Sequence, residues 1–161
     1  MNEHIWKKLG EVKAFARACA DFLSRGKDGF IGADIFTAEE IEQFVNKNED
    51  HIAKIDKIAG AADATKIVDT KSKATGSKLE DMQGRYLANE DDWADGMELL
   101  EWSGFFFGGA VVHWSLIEGV SESIHEADLT ALAGSGLGFH TQMFETVRES
   151  ISRLAKEEAA Q

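Results

Sequence analysis

Residues 99–117, LLEWSGFFFGGAVVHWSLI, form the most apolar run of the chain. At 19 residues the run is long enough to span a bilayer, so its reading decides the kind of fold. Glu101, His113 and two serines interrupt it, and acids flank it on both sides without a nearby Lys or Arg. A membrane span carries fewer polar groups and a basic cytoplasmic flank. The run therefore reads as a buried helix of a water-soluble fold. It is apolar nearly all round in its middle, which predicts neighbours on several sides. Trp93 to about Ile124 is the expected extent, with Asp91 or Asp92 as the cap.

The flanking segments read as helices too. Ile5, Leu9, Val12, Ala16, Cys19 and Leu23 recur at spacings of three and four and predict a first helix over residues 3–24. Arg25 to Phe36, with three glycines, reads as a connection. Thr37 and Glu40 form a capping box that starts a second helix. Its stripe is Ile41, Phe44, Val45, Asn48, Ile52, Ile55 and Ile58, and it stops near Gly60. A third helix covers residues 62–88 with a narrow stripe of mixed polarity. Beyond the apolar run, Asp128 caps a short turn and Gly134, Gly136 and Gly138 break the chain. A last helix carries His140, Phe144, Val147, Ile151 and Leu154, and residues 155–161 form a frayed tail. No proline interrupts any of these segments, where average usage of about 5% would supply roughly eight. The expected fold is all-α: an antiparallel bundle of four to five long helices, up-and-down in type, in one domain over residues 1–161.

The formal charge is -12, and its distribution is uneven. Met1 to Arg85 holds 14 basic and 15 acidic residues, whereas Tyr86 to Val147 holds 11 acids and no Lys or Arg. Such a field repels nucleic acid. The lysines from Lys66 to Lys78 lack the interleaved aromatics that stack on bases and read as a solvated face. Attraction between that helix and the acidic start of the next suits a hairpin of the two. The one cysteine, Cys19, lies on an apolar stripe and cannot build a disulfide framework. Met1 to Gly10 is amphipathic, with no basic start followed by an apolar run, so no leader is expected and the cytoplasm is the expected compartment.

Glu101, His113 and His140 are the polar groups in apolar settings. A buried charge costs several kcal/mol unless it is paired or bound. A Glu–His pair across helices would answer that, and so would a metal held by imidazole and carboxylate, with His113 and His140 as candidate ligands. Glu101 and His113 lie about 120° apart around one helix and about 18 Å apart along it, so they do not meet on one ion. A ferritin-like di-iron site needs Glu-x-x-His on two helices. Glu122-Ser123-Ile124-His125 is the one interior match, and it falls at a helix end. Lys27 to Ile31 lacks the terminal glutamate of a calcium loop, since Ile35 stands at that position. The glycines from Gly134 to Gly138 lack the strand and the cation of an anion cradle. No P-loop or serine-hydrolase signature is present.

Gly104 and Gly108, among Phe105, Phe106 and Phe107, have the spacing that lets a second helix approach closely. Trp93, Trp102 and Trp114 add aromatic surface on the same helix. The leading expectation is a protein that binds a partner or a small apolar ligand as a homodimer. Glu101, Trp102, Phe106, His113, Trp114 and His140 are the candidate pocket or interface residues. The alternative is a metal-binding bundle, ferritin-like or mononuclear, or an enzyme using Glu101, His113 and His140. A third reading is an adaptor that offers the acidic segment to a basic protein. No cofactor, nucleic acid or membrane is expected as a partner.

Overall fold

The computed structural model describes residues 1–160, which fold into seven helices with no strand among them. In chain order these are α1 (Glu3–Arg25), α2 (Lys27–Gly32), α3 (Ala38–Ala61), α4 (Thr65–Tyr86), α5 (Glu90–Ala94), α6 (Gly96–Ile124) and α7 (Ala127–Ala159). None of them is long and apolar enough to cross a membrane.

Side chains set several of the starts. Asn2 accepts the backbone N–H of Ile5 to begin α1. Thr37 and Glu40 make the reciprocal capping box of α3, as the spacing predicts. For α6 the cap lies elsewhere than expected. Asn89 and Asp92 form a capping box that starts the short α5. The chain then turns extended at Asp95, whose carboxylate accepts the N–H groups of Met97 and Glu98. Asp91 and Asp92 therefore do not cap the apolar helix. At the other end His125, at φ 53°, closes α6 in the left-handed conformation.

Three expectations about the glycines and the tail need correction. The glycine-rich connection after α1 contains a helix, α2, whose Gly29 lies directly under the Trp93 backbone. Gly134, Gly136 and Gly138 do not break the chain but lie within α7. Gly136 is there because a side chain would collide with the Trp114 ring. Helix α7 also continues to Ala159, through most of the segment expected to fray. Gln161 lies outside the described residues.

Helix α6 touches α1, α2, α4, α5 and α7, the neighbours on several sides that its apolar middle predicts. The helix surrounded by others is α1, which packs on α3, α4 and α6. Every residue from Leu9 to Ala16 is buried. Gly10 makes the closeness possible: a Cβ there would stand 2.6 Å from the Val68 carbonyl oxygen of α4. Helix α4 thus lies along α1 and touches α6 little, so the expected charge-paired hairpin of α4 with α6 does not form. Its basic side chains turn to other acids, Lys71 to Glu11 and Arg85 to Asp81. Helix α6 packs chiefly on α7, joined to it by the turn at His125 and Glu126. One side of α6 is left facing outward.

Candidate functional site

The outward side of α6 is apolar. Phe105 is 62% exposed, Val112 68% and Leu116 39%. Their spacings of seven and four place them on one face of the helix. Gly104 and Gly119 share that face, and among the described residues nothing lies within 4 Å of where their Cβ atoms would be. Gly108, also on this side, meets only the Phe144 ring, 3.5 Å from its own Cβ position. On one flank α4 contributes the exposed Met82 and Tyr86, the latter with its ring 5.2 Å from that of Phe105. On the other flank, α6 and α7 form a shallow groove of about 350 Å³. Leu100, Gly104, Phe105, Phe144, Val147 and Ile151 line it, with Glu101 and Arg148 at its edge.

The residues singled out from the sequence fall into four surroundings. Trp102, Phe106 and Trp114 are fully in the core and present no surface. Glu101 is exposed on the outer face of α6, not held in an apolar setting. His113 is half-buried and belongs to an ionic cluster around α1. Its Nδ1–H donates to the Gly109 carbonyl at 2.8 Å, which aims Nε2 at Glu11 of α1, 3.4 Å away. The Glu11 carboxylate also accepts from Lys8 at 2.9 Å and from Lys71 of α4 at 3.1 Å. Burial opposes its ionisation, but the two ammonium groups outweigh that and hold its carboxyl below the usual range. About half a turn on, Lys13 bridges Asp56 of α3 and Asp69 of α4. Burial of Lys13 works against its charge, and the two carboxylates overcome it to raise its pKa. A Glu–His pair across helices therefore exists, but its carboxylate is Glu11, not Glu101.

His140 occupies a different part of the core. Its Nδ1–H donates to the Gly136 carbonyl at 2.8 Å, leaving the Nε2 lone pair inward with no partner. Facing it from α3 is His51, which sequence reading passed over in favour of Ile52. The two rings are 6.4 Å apart. His51 Nε2 is 3.0 Å from the Ser135 hydroxyl. The Trp114 indole lies nearly parallel to the His140 ring at 6.1 Å. Asn48 is fully buried one turn before His51 and uses its amide on the Phe44 carbonyl. Burial first, then the facing imidazole, lowers the His51 pKa to about 4, and burial likewise takes His140 to about 4. Both rings are neutral at pH 7. Burial pushes the Cys19 thiol up to about 12, so it is no nucleophile.

His113 and His140 share no partner residue. Among the described residues no three His, Cys, Asp or Glu side chains converge as a metal site would require. Glu122 and His125, the one match to a di-iron motif, are both exposed at the α6 end. The signals for the cluster residues were present but weak. His51 continues the Phe44, Asn48, Ile55 spacing of α3, and Glu11 stands between Leu9 and Val12.

No family model, curated protein or solved structure matches the chain.

Proposed function

We propose that this chain works by binding protein, and that the outer face of α6 docks an apolar helical surface. The observation that carries this reading is the exposure of Phe105, Val112 and Leu116 in line on one helix. Single exposed apolar side chains are ordinary on a folded surface. A continuous patch is not, and patches of this kind mark interaction sites. Tyr86, Met82 and the α6–α7 groove extend this one on both sides. A small apolar ligand would use the same groove, whose volume is at the low end for ligand pockets. Glu101, His113 and His140 have separate surroundings, which favours binding over an enzyme or metal centre built from them.

The test is photo-crosslinking. p-Benzoylphenylalanine replaces Val112 in one preparation and Lys73, exposed on α4, in another. The expected result is a covalent protein adduct of defined mass from position 112 and little from position 73. No adduct from 112, or equal yields from both positions, would rule the reading out.

A further inference from the structure

The α6 face can be read as self-complementary about a midpoint. Position 110 is its midpoint. Counted outward from there, Gly108 corresponds to Val112, Phe105 to Ser115, Gly104 to Leu116 and Glu101 to Gly119. In each pair a small residue answers a larger one. Glu101 and Gly119 are 18 residues apart, five whole turns, so they share one line along the helix about 27 Å long.

We infer that a second copy of this chain occupies the face, with the two α6 helices antiparallel about a two-fold axis at position 110. This rests on the reading that the α6 face binds protein. In that register Phe105 of one copy stands beside Val112 and Leu116 of the other. Gly104, whose Cβ position is open, lets the helix backbones approach closely there. Glu101 meets Gly119 of the second copy, where no side chain opposes it. An isologous interface requires this kind of self-complementarity.

The area of the face agrees with a second copy. The α6 segment belongs to the 62 residues without Lys or Arg. An anionic lipid surface finds no cation on the α6 face itself. The stripe is about 27 Å long on a helix about 10 Å wide. Tyr86 and Met82 on one side and the groove on the other roughly double that width, giving about 500 Å² per copy. A total near 1,000 Å² is the threshold for a specific interface, so the face is just large enough for a dimer. Like charges at Glu101 and Glu122 oppose the pairing, with Arg148 beside Glu101 at the groove edge as the offsetting cation.

Disulfide trapping tests the register, because the only native cysteine, Cys19, is buried and inert. Glu101→Cys and Gly119→Cys are both at exposed positions, and the second meets open space. The chain carrying both is expected to form a covalent dimer on mild oxidation, and each single variant is expected to stay uncrosslinked. A dimer locked by either single variant would mean a parallel or different register and would overturn the inference. In native mass spectrometry the unmodified chain is expected to be dimeric at tens of micromolar. Val112→Glu, a change on the surface, is expected to weaken the dimer about tenfold or more with an unchanged melting profile for the monomer. A wild-type chain that stays monomeric would overturn the inference. So would an adduct from position 112 with the mass of a different protein, although that second result would leave the protein-binding reading standing.

Discussion

The rings of His51 and His140 face each other across the α3–α7 contact at 6.4 Å, both fully buried and both short of a hydrogen bond. Each has a folded-state pKa of about 4 against 6.5 when free. Between those values the unfolded chain binds more protons than the folded one, so stability rises with pH. The stability that depends on these neutral rings is complete above about pH 6.5 and is lost as pH falls towards 4. Urea unfolding at pH 7.5, 6 and 5 should show a loss of several kcal/mol from the pair. His140→Phe should remove a large part of that slope. A flat profile across this range would show that the rings are not held neutral.

Gly136 and Gly134 occupy the same helix two residues apart and should respond oppositely to alanine. A Cβ at Gly136 meets the Trp114 ring, and one at Gly134 meets nothing. Gly136→Ala should cost about 1–3 kcal/mol through overpacking. Gly134→Ala should gain up to about 1 kcal/mol from helix propensity. Thermal melting of the two variants side by side checks this, and equal effects would contradict the close contact of α6 with α7.

Gly10 sets the distance between α1 and α4. Gly10→Ala forces a methyl group against the Val68 carbonyl, which belongs to backbone and cannot rotate away. A loss of about 1–3 kcal/mol is expected. Gly84→Ala on the open side of α4 is the control and should be neutral or stabilising.

Asp95→Ala removes the side chain that accepts two N–H groups at the start of α6. The expected cost is about 1 kcal/mol. Asp91→Ala, at the position that sequence spacing favours as the cap, should cost much less. Chemical denaturation of the two variants distinguishes the caps.

Periodicity and capping chemistry made the long helices legible, because both depend on residues close together in sequence. Thr37 and Glu40 define one start without reference to the rest of the chain. The identity of the central helix was not legible. Helix α6 is the more apolar, yet α1 is the more enclosed, since Glu11 and Lys13 are buried by finding partners on α3, α4 and α6. Only long-range pairing shows that. The same gap hid His51, whose significance depends on Ser135 and His140 more than eighty residues away. Glycines were ambiguous for a related reason. A glycine that breaks a helix and one that lets a tryptophan lie against it look alike until the neighbour is known, as Gly136 shows.

The enclosure of α1 has a consequence for synthesis. Its segment from Leu9 to Ala16 is translated before α6, whose surface covers part of it and follows roughly a hundred residues later. At about 5–20 residues per second that interval is roughly 5–20 s. Throughout it α3 and α4 can pack on α1, but the face that α6 covers stays open, with Phe15 and Phe22 still awaiting Phe106. In a chain stalled before α6, that one face of α1 would have to be shielded by something other than α6.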